Sequence, residues 1–151
     1  MNTKVKVTKN FNLGKIKLDL SKEINDFGKI IRKDHYQRLE RGLGVNGSPM
    51  EKLSPETIAK KGHSKILVDS GNMRNLVFRK KATAASQSAI LTPGEKRKYP
   101  GTKVTPSQVA SFHQEGGPNL PQRQWFGISK KAEEDGEKRI VEKIKQEIDN
   151  A

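Results

Sequence analysis

Cysteine is absent from this chain, which excludes disulfides, thiolate metal sites and cysteine nucleophiles together. Aromatic residues are scarce: with five Phe, two Tyr and one Trp, few rings remain for ligand stacking once a core is filled. No run approaches the ~20 uninterrupted apolar residues of a membrane-spanning helix. The basic N-terminus, MNTKVKVTKNFNLGKIK, has no continuous apolar block, so no secretory signal is expected. Acidic side chains are also under-represented. Seventeen Asp and Glu face thirty Lys and Arg, a formal charge of +13. That balance suits an anionic partner: nucleic acid, an acidic protein surface or acidic lipid headgroups. The excess is unevenly placed, because residues 130–150 hold six basic and seven acidic side chains, leaving +14 on everything before them.

What is present is apolar material, 32% of 151 residues, sufficient for one domain with a modest core. Alternation at Val5 and Val7, and again at Ile16, Leu18 and Leu20, predicts two strands. From Ser21, the expected N-cap, the period becomes helical: Leu20, Ile24, Phe27, Ile31 and Leu39 share a face that ends near Gly42. Leu53-Ser54-Pro55-Glu56 predicts a short helix capped by Ser54 and stopped at Gly62. Leu76-Val77-Phe78-Arg79 and Ser88-Ala89-Ile90-Leu91 read as strands. Residues 92–108 carry Pro93, Gly94, Pro100, Gly101 and Pro106 and read as an extended basic loop. Within its end, Thr105-Pro106-Ser107-Gln108 has the capping-box pattern and starts another short helix.

Residues 121–127 read as an extended segment held by the rings of Trp125 and Phe126. Ser129 caps a terminal helix over 130–149, where Ile140, Ile144 and Ile148 repeat. Glu134 with Lys138 and Asp135 with Arg139 are expected to pair along it, and Gly136 to weaken it. Strands bracketed by helices predict an α+β domain: a mostly antiparallel sheet packed on one face by the two longer helices, with long loop insertions. One domain over 1–151 is expected, with residues 1–14 a flexible arm or edge strand.

His35, His63 and His113 have no metal-ligand spacing. His35 is expected at a helix surface or boundary, His63 against a helix C-terminus, and His113 bonding the turn that follows it. The nucleophile elbow GxSxG and the phosphate loops GxxxxGK[ST] and GxGxxG are missing. Asp69 and Glu115 are isolated carboxylates, Asp69 being expected to bond its own Asp-Ser-Gly turn. No catalytic, cofactor or metal site is therefore expected. The stronger signal is basic. Arg79-Lys80-Lys81, Lys96-Arg97-Lys98, Lys103 and Lys60-Lys61 are candidate interface or DNA-facing groups, and a small basic nucleic-acid-binding protein is the alternative reading.

Three motifs then carry a resemblance. Gly47-Ser48-Pro49-Met50-Glu51-Lys52-Leu53-Ser54-Pro55-Glu56-Thr57 resembles a G-x-x-W-x-x-L-S-P-x-T segment. Ile66-Leu67-Val68-Asp69-Ser70-Gly71-Asn72-Met73 resembles I-L-V-D-T-G-x-L. Ala110-Ser111-Phe112-His113-Gln114-Glu115-Gly116-Gly117, with Pro121-Gln122-Arg123-Gln124-Trp125-Phe126-Gly127-Ile128-Ser129, is similar to A-x-x-H-Q-x-G-G and P-x-R-x-F-L-G-L-S. Their order and spacing over residues 47–129 are those of phage virion morphogenesis proteins, the tail-completion proteins of Mu-like phages. Departures are Met50 for a tryptophan, Val109 for a tyrosine and Trp125 for a phenylalanine, all still apolar. Leu76 stands at a common serine, whose hydrogen bond it cannot make.

The resemblance implies a non-enzymatic virion protein of the neck or tail, assembled in the host cytoplasm. It implies a homo-oligomeric ring, six-fold to match the tail, that completes the tail or neck so that head and tail join. Its expected partners are its own copies and the neck, connector and tail-tube proteins, with DNA in the channel lumen a further candidate and no membrane. The residues that carry the motifs have a structural reading. Leu53, Leu67, Met73 and Trp125 anchor loop-rich segments, while Gly71, Gly116, Gly117 and Gly127 give the backbone freedom. Arg123, following Pro121, offers a fork for a carboxylate or carbonyl. Ser54, Pro55, Asp69, His113 and Gln114 complete the set, and residues 92–107 are the expected inter-subunit arm.

Overall fold

A computed structural model of the chain describes residues 18–68, 71, 73–94, 101 and 103–150. The expected strand at Val5 and Val7 lies outside them. The second expected strand is corrected: residues 18–20 run irregularly into helix α1 (Ser21–Glu40). Their backbone is paired by a side chain instead of a strand. The Gln87 amide donates to Leu18 O at 2.9 Å, and its oxygen accepts the N–H of Leu20 at 3.1 Å. Leu20, not Ser21, takes the N-cap position, and the Asp19 carboxylate accepts the Ser21 N–H at 2.9 Å. A carboxylate there is favoured over a hydroxyl because the helix N-terminus is electropositive.

Three later helices start as their sequences dictate. In α2 (Pro55–Lys61) the Ser54 hydroxyl accepts the Thr57 N–H, and Gly62, at φ 72°, closes the helix in the left-handed region. In α3 (Pro106–Glu115) Thr105 and Gln108 cap each other's backbone. In α4 (Lys130–Asp149) the Ser129 hydroxyl accepts the Ala132 N–H at 3.2 Å. The expected pairs of α4 are shifted by one turn. Lys131 meets Asp135 at 2.7 Å and Lys130 lies 3.9 Å from Glu134, while Arg139 reaches across to Asp26 of α1 at 3.8 Å.

The sheet is a two-stranded antiparallel hairpin, β1 (Leu76–Lys80) with β2 (Ile90–Pro93). Ser88 and Ala89 belong to its connection, whereas Thr92 and Pro93, expected in the basic loop, extend β2. The register slips between Phe78 and Lys80, and that bulge leaves both Arg79 and Lys80 exposed. Asn25 of α1 then clamps the connection, its amide donating to Ala82 O at 3.0 Å and accepting the Ala82 N–H at 2.9 Å.

The two long helices pack together against this hairpin, with α1 in direct contact with β1. Gly136 is what lets them meet: a Cβ there would stand 2.5 Å or closer to three ring atoms of Phe27. The core is built from Leu39 of α1 with Met50, Ile66, Leu67, Met73, Ala110 and Trp125, and Leu53 and Val109 pack onto it. Residues 121–127 make no strand; they are an irregular return drawn into that core. Among the described residues no helix is long and apolar enough to cross a membrane.

Candidate functional site

The three motifs converge on this core, each anchored by apolar side chains and tied by polar ones. Met50 and Leu53 come from the first, Ile66, Leu67 and Met73 from the second, Ala110 and Trp125 from the third. Leu67 adopts φ 55°, a left-handed conformation that a side chain with a Cβ tolerates only when its surroundings enforce it. Asp69 lies outside the described residues. Gly71 is buried at φ 83°, and its carbonyl accepts the Asn75 N–H.

The third motif is knotted by hydrogen bonds. Gly116 turns at φ 76°, where a Cβ would sit 2.9 Å from the Gln122 nitrogen. Gly117 and Leu120 then bridge, and past Pro121 the Arg123 N–H donates to His113 O at 2.8 Å. The Gln114 side-chain oxygen accepts both the Trp125 and Phe126 N–H groups at 3.1 Å. Trp125, 1% exposed, donates from Nε1 to Ala110 O at 3.2 Å. Buried Arg123 donates from Nε to Glu51 O at 3.1 Å, joining the third motif to the first. So the fork expected of Arg123 is aimed at a carbonyl. His113 contributes its backbone to the turn, but its ring Nδ1 is buried without a partner. Burial, then the positive charges of Arg123 and Lys61, push its pKa down.

Helix α1 supplies residues that sequence reasoning missed. His35, expected at the surface or boundary, is fully buried, its ring centroid 5.4 Å from that of Trp125 and 6.4 Å from that of Phe126. Its Nε2 lies 2.8 Å from Met73 O, so Nε2 carries the proton and Nδ1, also buried, has no partner. The helix is covered on more than one side, which periodicity alone does not reveal. Arg38 is held by Asp34 at 2.8 Å and donates to the carbonyls of Trp125 and Gly127 at 3.2 and 3.4 Å. Basic spacing from Asp34 to Arg38 is the signal that could have found it, read as a pair rather than as surface charge.

Beside the core lies a groove of about 740 Å³, lined by Leu53, Leu67, Met73 and Val109, with His113 and buried Arg123 in its wall and Lys60 and Lys61 at its rim. Phe112, 52% exposed, stands at its edge. His113 and Arg123 thus meet in one concavity, whereas Arg79, Lys80 and Lys81 lie on the exposed end of β1 and beyond it. Lys103 is exposed, and Lys96, Arg97 and Lys98 lie outside the described residues.

Fold and site together define a small α+β domain whose motif residues are spent on shaping a nucleus and an adjoining basic-rimmed groove. No protein-family model, curated protein or solved structure matches the chain.

Proposed function

We propose that this chain is a structural virion component that closes into a ring at the head–tail junction or the head-proximal end of the tail. The observation that carries the reading is the fate of the motif side chains. Arg123, Gln114 and Trp125 direct their polar groups at backbone of the same chain, so the motifs build shape. A ring needs two different patches that fit each other head to tail. The groove is one: apolar inside, basic at the rim. The first turns of α4 are the other, with exposed Glu133 and Glu137 one turn apart on the same side and no ion pair formed by either among the described residues. Each copy places its groove against α4 of the next, and closure completes the tail or neck as a docking platform for the other half of the particle.

Electron microscopy of particles assembled without this chain tests the proposal. Full heads and finished tails accumulating unjoined are expected. Normally joined particles would overturn it, as would a purified chain that stays monomeric at high concentration.

A further inference from the structure

A second surface is distinct from the groove. Along α1, Lys22, Asp26 and Lys29, then Arg32 and Lys33 three and four residues beyond Lys29, and Tyr36 beyond both, form one stripe. The stripe borders the hairpin through two adjoining hollows. One, of about 350 Å³, lies between Lys29, Arg32, Phe78 and Lys81. The other, of about 230 Å³, lies between Arg32, Lys33, Tyr36 and Arg74. Among the described residues six cations line this trough, and the one carboxylate that does so is Asp26, bound to Lys22 at 3.0 Å and Lys29 at 2.7 Å. Arg74 has Glu40 at 2.7 Å; Arg32, Lys33 and Lys81 have no carboxylate partner among the described residues.

We propose that the trough between α1 and β1 docks the phosphate backbone of double-stranded nucleic acid without reading its sequence. Charge sets the sign of the partner, and two further observations set its kind. Both aromatic rings of the trough are covered by guanidinium groups, Phe78 by Arg32 at 5.7 Å and Tyr36 by Arg74 at 4.9 Å. Each ring thus has one face already taken by a cation, and Phe78 is only partly exposed, so the trough offers no pair of bare rings for base stacking, the main handle on single strands. Of the exposed large apolar residues among those described only Tyr36 lines the trough, so they supply no apolar insertion of the kind that holds a protein on a lipid surface. From Lys22 to Lys33 the stripe runs about 16 Å at the helical rise. Over that length a duplex presents about nine phosphates. The inference stands on this surface alone and does not need the ring.

Fluorescence anisotropy of a labelled duplex, titrated with the full chain between about 50 and 200 mM salt, is the test. Lys29→Gln/Arg32→Gln/Lys33→Gln should flatten the slope of log affinity against log salt by about 3, on any sequence. Lys130→Gln/Lys131→Gln/Lys138→Gln removes the same charge from α4 and should leave the slope unchanged. Because Arg32 also covers Phe78, Lys33→Glu/Lys81→Glu provides a second variant that keeps that contact, and it should weaken binding as well. Equal losses from the α1 and α4 triples would reduce the effect to net charge and overturn the site. So would tighter binding to single strands than to duplex. Competition by polyglutamate as strong as by duplex at equal charge would replace nucleic acid with an acidic protein.

Discussion

His35 sits where a second proton has nowhere to go. Its Nε2–H is committed to Met73 O, Nδ1 is buried without an acceptor, and the rings of Trp125 and Phe126 wall the site. Burial therefore holds its pKa below the ordinary 6.5; the nearby Arg38 charge acts in the same direction, while the Met73 bond and Asp34 oppose. A lowered folded-state pKa means that the unfolded chain takes up the proton first. The stability due to neutral His35 is complete above about pH 6.5 and drains as pH falls toward the folded-state value. His113 drains in the same direction, since its pKa is also lowered. Urea denaturation at about pH 7 and about pH 5 checks this: the midpoint of the native chain should drop. His35→Gln keeps a donor for Met73 O but cannot titrate, so its midpoint should drop distinctly less. An equal drop in both would refute the assignment.

At the scale of elements, the sequence misjudges Gly136 if helix propensity is the only measure. Replacing it with alanine should favour an isolated helix by about 1 kcal/mol. In the folded chain the new methyl would overlap the Phe27 ring near its base, which the ring's tip alone cannot relieve. Overpacking of this kind costs about 1–3 kcal/mol, so Gly136→Ala should lower the melting temperature. Pairing it with Phe27→Leu should recover part of the loss, a coupling that a double-mutant cycle measures directly. Asn25 makes a second such tie. Asn25→Ala removes both bonds to Ala82 and should cost about 1–2 kcal/mol, with faster hydrogen exchange at the Ala82 amide. Starts of α2, α3 and α4 were legible because Ser54, Thr105 and Ser129 each act on the N–H three residues away. The Gln87 tie to residues 18–20 and the bulge at Arg79 were not, since each depends on chain distant in sequence or on a partner strand's register.

For the whole molecule, the charge split visible in the sequence acquires a geometry. The helix that carries the acidic excess exposes Glu133 and Glu137 one turn apart, and the rest of the chain frames the groove with Lys60 and Lys61. Apolar motif positions such as Leu67 and Trp125 were legible as anchors from their type alone. That His113 and Arg123 share one concavity was not, because nine residues separate them and the turn at Gly116 folds one back on the other. If grooves meet acidic helices between copies, reversing the rim must weaken the contact and reversing both sides must restore it. Lys60→Glu/Lys61→Glu should weaken self-association by roughly tenfold, the scale of two partly exposed ion pairs. Glu133→Lys/Glu137→Lys should do the same. Both sets combined in one chain should recover most of the loss, and added salt should shrink all three differences. Sedimentation velocity across a concentration series reads the association. Two single-side reversals that weaken it independently, with no recovery in the combined chain, would show that these faces do not meet.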